Sequence, residues 1–305
     1  LLPFAAQPTV NNPIELYTRK DAFCFAGAYY VRYPDRTRDL DDFLQHLPQY
    51  KPVEIYDRNF GKDDPNYMFP ESYQPFIVGN LPYEQIDKAY KGYRYAINLN
   101  SIKHSQTMFA RRAYELLASN TLTVSNYSRG IELMFGDLVL NSDSGQQIVD
   151  RLQQIEQDPL YCQKFQLTAL RKVMTHHTYQ DRLGYILDKI DHAAPQQLLP
   201  QVVVAAYAST TERAARILNC FQQQNYQHKQ LLLLVAEQAQ LPESLPEAVT
   251  LLTAEALKGQ RFEQLFPSGS WFGFMVADDY YGPNYLTDLA LATRYSPAPM
   301  IGKVA

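Results

Sequence analysis

The sequence is poor in several features that would assign a function class at once. Its 305 residues contain one tryptophan and three cysteines, Cys24, Cys162 and Cys220. Cysteines scattered in this way are typical of reduced thiols and offer no metal-ligand spacing. The 28 Lys and Arg residues are outnumbered by 32 Asp and Glu residues, which gives a formal net charge of −4. Nucleic-acid-binding proteins usually have an excess of basic residues, which this sequence does not have, so we expect no nucleic-acid partner.

Long hydrophobic runs are also missing. The longest apolar stretch, Leu231–Ala236, has the length of a buried strand and is far shorter than the ~18 residues of a membrane span. Residues 1–20 do not combine a basic segment with an apolar one, as a secretion signal would. We therefore expect no membrane span and a cytoplasmic location, which includes the inner face of the membrane.

Short apolar runs and helical patterns alternate along the chain. The predicted strands are Ala22–Ala26, Val53–Tyr56, Phe76–Val78, Tyr95–Leu99, Thr121–Ser125, Asp137–Leu140, Gln201–Ala206, Lys229–Val235, Val249–Leu252 and Phe272–Val276. The predicted helices are Leu40–Leu47, Tyr83–Tyr93, Met108–Ala118, Pro159–Thr175, Tyr179–Ile190, Thr210–Gln223, Leu257–Phe266 and Pro283–Arg294. Such alternation is typical of parallel sheets. The predicted fold class is α/β, with two Rossmann-like domains that have mainly parallel sheets and helices on both faces.

A short segment bracketed by Pro195 and Pro200 separates two stretches of this pattern. Prolines interrupt regular structure and are common in linkers. A chain of 305 residues also has the length of two domains. We therefore predict a first domain over residues 1–190, a linker over 191–200 and a shorter second domain over 201–305.

The segment Ser105–Ala118 contains the first candidate site. It follows the predicted strand Tyr95–Leu99, and open α/β sheets bind ligands where a strand ends and the next helix begins. Free backbone N–H groups at a helix start suit a diphosphate, and Arg111 or Arg112 could add a charge-assisted hydrogen bond. An ordinary amphipathic helix with a solvated arginine pair explains the same pattern.

Residues 98–130, NLNSIKHSQTMFARRAYELLASNTLTVSNYSRG, resemble the C-terminal nucleotide-sugar domain of the CgeB-like (spore-maturation-type) glycosyltransferases. In the wider GT-B class of glycosyltransferases, a glutamate in a similar context holds the donor ribose hydroxyls, and Glu115 matches it. Many members carry an earlier glutamate, where this chain has Thr107. Leu2–Pro8 resembles the hinge that leads into this domain, and Cys24–Arg36 resembles its first strand and loop.

The resemblance covers about residues 1–190 and implies a nucleotide-diphosphate sugar as the donor. It implies donor-binding roles for Gly27, Tyr29, Tyr30, Arg58, Asn80, Tyr83, Asn100, Ser105, Thr107, Met108, Phe109, Arg112 and Glu115. A solvated loop is the alternative for Arg58 and its neighbour Asn59. The catalytic residues stay unknown, because the resemblance implies that an acceptor-binding domain precedes this one and supplies the general base. A domain of this class usually requires no metal cofactor.

Residues 201–305 resemble the first part of a second class, the GT-A glycosyltransferases of family 2. The stretch WFGFMVADDYYGPNYL resembles the region of their metal-binding carboxylates. The resemblance implies Mn²⁺ or Mg²⁺ bound by Asp278 and Asp279, because such ions bridge the donor diphosphate. The chain departs from the family where Val276 replaces the first aspartate and where Ala236 and Glu237 replace a base-contacting one. We therefore expect a retained fold with weakened or lost metal binding as the alternative.

Two functions fit these features. The first is a glycosyltransferase that moves a sugar from a nucleotide-diphosphate donor to a cell-surface glycan or wall polymer. The second is a non-catalytic nucleotide-sugar-binding or scaffold module that associates with other glycan-assembly proteins. The adjacent His176 and His177 point to different sides of a helix and are expected to serve packing, not a shared metal site.

Overall fold

The chain folds into two compact units, Leu1–Pro195 and Gln196–Ala305. The structure, a computed structural model, describes residues 2–191, 199–236, 245–255, 257–261 and 264–303. Most of the predicted linker 191–200 therefore lies outside the described residues. No helix within these described ranges has the length and apolar character needed to cross a membrane.

A six-stranded parallel sheet forms the centre of the first unit. Its strands are β1 (Lys20–Gly27), β2 (Val53–Asp57), β3 (Ile77–Gly79), β4 (Tyr93–Asn98), β5 (Leu122–Ser125) and β6 (Leu140–Asn141). They lie in the order β3-β2-β1-β4-β5-β6, and every neighbouring pair is parallel. The α/β prediction is therefore confirmed. The middle of the central strand β1, Ala22–Ala26, is apolar and buried because both faces of the sheet are covered.

Seven helices surround this sheet in the described part of the first unit. They are α1 (Pro34–His46), α2 (Ile86–Lys91), α3 (Arg112–Ala118), α4 (Arg129–Phe135), α5 (Gly145–Glu156), α6 (Pro159–His176) and α7 (Tyr179–Asp191). Asp158 caps α6 by accepting a hydrogen bond from the Leu160 N–H, and Pro159 occupies the first turn, as predicted.

Alternate residues of β1 point to opposite faces of the sheet, and each face has its own apolar cluster. Phe23 and Phe25 pack on one side with residues of α1 and α5. Cys24 packs on the other side with residues of α2 and α3. These opposite clusters confirm that helices cover both faces.

The predicted helices Met108–Ala118, Tyr83–Tyr93 and Pro283–Arg294 are all shorter in the structure, and the first of these differences changes the candidate site. The prediction Met108–Ala118 is wrong at its start, because α3 begins only at Arg112. The Asn100 side-chain carbonyl accepts the Ala110 N–H at 2.8 Å, so the chain before Arg112 is held as a loop. Sequence periodicity also missed α4 and α5.

A four-stranded parallel sheet forms the second unit, in the order β10-β7-β8-β9. Its described elements are β7 (Val202–Ala208), α8 (Thr211–Gln222), β8 (Lys229–Val235), β9 (Val249–Leu252), β10 (Trp271–Phe274) and α9 (Tyr285–Ala292). Thr210 caps α8 through its hydroxyl. The predicted helix Leu257–Phe266 is wrong in its described part, since residues 257–261 and 264–266 are not α-helical.

The predicted hinge segment Leu2–Pro8 lies against the end of α6 and the start of α7. The Ala6 N–H donates to the His177 carbonyl at 2.9 Å. Arg182 donates from Nε to the Pro3 carbonyl at 3.1 Å and from Nη2 to the His177 Nδ1 at 3.0 Å. An arginine can only donate, so this imidazole nitrogen is the acceptor of a neutral ring.

His177 is packed between the Tyr114 and Phe135 rings, with centroids 5.6 and 5.7 Å from its own. Burial and then the Arg182 charge lower the pKa of His177 to about 4 from its usual 6.5. The folded state therefore resists a proton that the unfolded chain accepts below pH 6.5. We expect stability to fall as the pH drops from 6.5 towards 4 and then to level off.

Urea unfolding at several pH values tests this expectation. His177→Gln should lose part of the wild-type stability change between pH 6.5 and 4. His176→Gln, a change at the exposed neighbouring residue, should keep it. An unchanged pH slope in His177→Gln would contradict the assignment.

Candidate functional site

The order of the first sheet reverses between β1 and β4. Open α/β sheets bind ligands outside the carboxyl ends of their strands at such a reversal. β1 ends there at Gly27 and β4 at Asn98. The candidate site therefore consists of the loops that follow these two strands, together with the adjoining ends of β2 and β5.

The loop after β1 contains three of the predicted donor-binding residues. A Cβ atom at Gly27 would lie 2.5 Å from the Phe25 ring, so packing alone requires a glycine there. The Tyr29 hydroxyl donates to Asp41 of α1 at 3.1 Å, and burial followed by the Asp41 charge raises the pKa of Tyr29 to about 12. The fold thus explains Gly27 and Tyr29 without a ligand. Tyr30 is half-buried and contacts the side chains of Arg36 and Arg58.

Three arginines, Arg36, Arg58 and Arg112, lie close together at this edge of the sheet and are called the arginine cluster below. Arg36 lies 4.6 Å from the Tyr30 ring centroid, and Arg58 donates to the Tyr30 hydroxyl at 3.3 Å. Arg36 and Arg112 both lie over the Phe25 ring, 6.0 and 5.9 Å from its centroid.

The arginine cluster is a positively charged site, and the Asp39 carboxylate acts on Arg36 only at a distance. Within residues 2–191, none of its guanidinium groups forms an ion pair, and the buried Nε of Arg112 has no hydrogen-bond partner. Arg36 is only 5% exposed, and burial, followed by the Arg112 charge, lowers its pKa to about 10. Asp57 lies beside Gly27 in the sheet, and burial raises its pKa. The positive charge of the cluster, which has no ion-pair partner in the described part of the first unit, is the feature of this edge that suits an anionic ligand.

The loop 101–111 after β4 is arranged differently from the prediction. Asn100 is 3% exposed, and its side chain bonds to Ser125, Asn126 and Ala110. Phe109 packs against Tyr114 in the core. Both residues thus have structural roles, since neither presents its side chain as an open contact.

The middle of the same loop remains exposed. The Ser105 hydroxyl accepts the N–H groups of Thr107 and Met108 at 3.3 and 3.0 Å. The expected row of free N–H groups at a helix start is therefore wrong for these two residues, because the helix begins later and Ser105 takes their hydrogen bonds.

Glu115 lies on α3 and is 9% exposed. Its Oε1 is 2.7 Å from the Arg111 Nε, and its Oε2 accepts the Tyr90 hydroxyl at 2.9 Å. Burial, modified by the Arg112 and Glu115 charges, raises the pKa of Tyr90 to about 12. Because a carboxylate accepts up to about four hydrogen bonds, Glu115 retains capacity for ligand hydroxyls.

Asn80 and Tyr83 follow β3, at the edge of the sheet. Both are exposed, and Tyr83 is 76% exposed. The Glu115 charge is the main factor that raises the pKa of Arg111, and Tyr83 adds to it. Tyr83 therefore belongs to the same electrostatic neighbourhood as Glu115.

The predicted metal residues of the second unit have other partners. Asp278 lies 2.6 Å from the Arg213 Nη2 and 3.9 Å from the Arg216 Nη1. The Asp279 carboxylate accepts the Tyr281 hydroxyl at 3.3 Å. Glu237 lies outside the described residues.

These partners do not suit a divalent cation. In the described ranges no three His, Cys, Asp or Glu residues are grouped as a metal site would need. Val276, at the position of the missing aspartate, is apolar and 53% exposed. Two guanidinium groups beside Asp278 would also repel a cation. The residues present therefore do not fit the metal that the resemblance implies, and no reaction step is assigned to a metal here.

Residues 36–188, half of the chain, match the family model described as glycosyl transferase-like. The chain belongs to this glycosyl transferase-like family. A comparison with curated proteins finds no match. The family supports glycosyl transfer in general and the binding of a sugar donor and an acceptor. The matched range runs from α1 to α7 and contains the whole arginine cluster.

Arg36 is a residue of this glycosyltransferase-like domain to which the sequence alone assigned no role. It lies on α1, and its part in the arginine cluster depends on contacts with Tyr30 and Phe25 that only the fold creates. One signal in the sequence could have indicated it. Arg36 lies four residues before Leu40, so both residues lie on the same, buried face of the helix.

The pairing of Asp278 predicts how the second unit responds to metal ions. We expect Mn²⁺ and Mg²⁺ to leave the melting temperature of the chain unchanged in wild type and in Asp278→Asn. A site filled at 100 times its dissociation constant would instead stabilise the fold by about 2.7 kcal/mol. A rise in melting temperature with Mn²⁺ that Asp278→Asn abolishes would contradict this expectation.

Proposed function

We propose that the glycosyltransferase-like domain binds a nucleotide-diphosphate sugar at the ends of β1 and β4. The observation that carries this proposal is the arginine cluster, which presents three guanidinium groups without a carboxylate partner in the described residues. Guanidinium groups form strong paired hydrogen bonds to phosphate oxygens. A diphosphate would supply the ion-pair partner that these three guanidinium groups do not have among the described residues.

The reaction that follows is transfer of the sugar to an acceptor hydroxyl. A bond forms between the acceptor oxygen and the anomeric carbon, and the bond from that carbon to the diphosphate oxygen breaks. The acceptor hydroxyl gives up its proton to a base for which no residue is assigned. Negative charge grows on the departing diphosphate. The arginine cluster therefore stabilises the transition state more strongly than it stabilises the bound donor before reaction.

Glu115 is proposed to bind the ribose of the donor. Its carboxylate is fixed from two sides by Arg111 and Tyr90, so its position does not depend on the ligand. A fixed acceptor loses little entropy when it receives a hydroxyl hydrogen bond. Tyr83 and Asn80, both exposed, are proposed to contact the base of the nucleotide.

The acceptor in this proposal is a cell-surface glycan or a wall polymer, and the protein acts at the cytoplasmic side of the membrane. The first domain is of the CgeB-like type, and the second unit is a divergent GT-A domain. The Arg213–Asp278 pair favours a second candidate function for that unit. It would be a non-catalytic module that positions partners in glycan assembly.

Calorimetry with UDP-, GDP-, CDP- and dTDP-sugars tests the proposed function. We expect one nucleotide class to bind, and we expect binding without added Mn²⁺ or Mg²⁺ because the arginine cluster takes the role of a cation. No heat of binding with any of the four, in a sample shown to be folded, would overturn the proposal.

A further inference from the structure

A network of buried polar groups lies behind the loop 101–111. Asp39 of α1 is 5% exposed, although aspartates are rarely buried. Its carboxylate accepts hydrogen bonds from the Lys103 Nζ at 2.9 Å and from the Asn126 Nδ2 at 2.7 Å. Lys103 also contacts Asp143 at 2.9 Å. One helix is thereby joined to the loops that follow β4 and β5.

The network continues into both ends of the loop. The Asn126 Oδ1 accepts the backbone N–H of Asn100 at 2.8 Å. The Asn100 Oδ1 in turn accepts the backbone N–H of Ala110 at 2.8 Å. The residues at which the loop begins and ends are thus connected through a single side chain, and Arg112 follows two residues later.

Packing alone does not explain a charged network at this place. Burial opposes the charge of Lys103, but its hydrogen bonds to Asp39 and Asp143 raise its pKa. Buried ion pairs add little stability compared with apolar residues of the same size, whereas their directional bonds can specify one geometry. The geometry that this network specifies is that of the loop 101–111.

We propose that Asp39, Lys103 and Asn126 are positioning residues that hold the loop 101–111 in the form that binds the ligand. This role rests on the proposed function. None of the three touches the donor: they act through Asn100 on the path of the loop and on the start of α3, where Arg112 and Glu115 lie. The network predefines the loop, so less freedom is lost when the nucleotide binds.

The test compares Asp39→Asn with a matched control. Asp35→Asn changes an exposed aspartate on the same helix that pairs only with Arg38 among the described residues. Both variants are measured by calorimetry with UDP, GDP, CDP and dTDP, and by hydrogen exchange of peptides from the loop. We expect Asp39→Asn to weaken binding about tenfold or more and to speed loop exchange, and Asp35→Asn to match wild type.

A second pair covers the case in which Asp39→Asn does not fold. Lys103→Met should reproduce the loss of affinity, and Lys103→Arg, which keeps the charge, should restore most of it. Faster loop exchange with unchanged affinity would overturn the positioning role. Unchanged exchange and unchanged affinity in a folded Asp39→Asn protein would overturn it as well.

The outcome for the proposed function is separate. Binding by wild type that Asp39→Asn leaves intact would remove only the positioning role. Absence of binding by wild type would remove the proposed function and this role with it, whatever the exchange data show.

Discussion

Replacing Arg112 with methionine is expected to weaken binding of the nucleoside diphosphate about 10- to 150-fold. A hydrogen bond to a charged group is worth about 1.5–3 kcal/mol, and about 1.4 kcal/mol corresponds to a tenfold change in affinity. The Arg112 Nε has no hydrogen-bond partner, and the guanidinium group forms no ion pair among the described residues, so its charge is available to a phosphate group. Methionine keeps an apolar side chain of similar reach but removes the guanidinium group, whose central carbon lies 5.9 Å from the Phe25 ring centroid.

Arg36→Met should have an effect of the same size, because Arg36 is nearly buried beside Arg112. The matched control is Arg38→Met on the same helix, where the arginine is exposed and paired with Asp35. Calorimetry with the nucleotide that wild type binds measures all three variants. Equal affinities for wild type, Arg36→Met and Arg112→Met would contradict the assignment of the diphosphate to the arginine cluster.

Glu115→Gln is expected to weaken nucleotide binding by a similar factor, since it removes a charged acceptor for ribose hydroxyls. The substitution keeps the shape of the side chain and its oxygen for the Tyr90 hydroxyl. It gives up the ion pair with Arg111, whose cost to stability is small because Arg111 is largely exposed.

A second nucleotide separates the ribose contact from a general loss of structure. With UDP as the binding nucleotide, 2′-deoxy-UDP lacks one of the hydroxyls that Glu115 is proposed to accept. Glu115→Gln should therefore weaken the binding of UDP more than the binding of 2′-deoxy-UDP, and wild type should bind UDP more tightly than 2′-deoxy-UDP. Equal loss for both nucleotides, or no preference in wild type, would place Glu115 away from the 2′-hydroxyl.

The architecture of the first unit could be predicted from the sequence because local signals agreed with tertiary ones. The apolar strand around Phe23 and Phe25 is bounded by a glycine and buried on both faces. The Asp158-Pro159 pair marked a helix start that needs no distant partner. Short elements such as α4 gave no clear period, because seven residues make only about two turns.

The candidate site was predictable only in part. The sequence indicated Arg58, Arg112 and Glu115, and the fold brings Arg58 and Arg112 to the same edge of the sheet. The sequence could not show that the Asn100 side chain accepts the Ala110 N–H. That hydrogen bond joins residues ten positions apart across a loop, and it makes the helix begin later than its periodicity indicates. The sequence also could not show that Arg213 would pair with Asp278, a residue 65 positions away.

Hydrogen exchange of the whole chain with and without UDP, or with the nucleotide that calorimetry selects, shows whether the nucleotide binds at the ends of β1 and β4. We predict that the nucleotide slows exchange in residues 27–36 and 101–115, which contain the loops after β1 and β4, and leaves residues 202–235 of the second unit unchanged. Protection confined to the second unit, or none at a concentration where calorimetry shows saturation, would contradict this prediction.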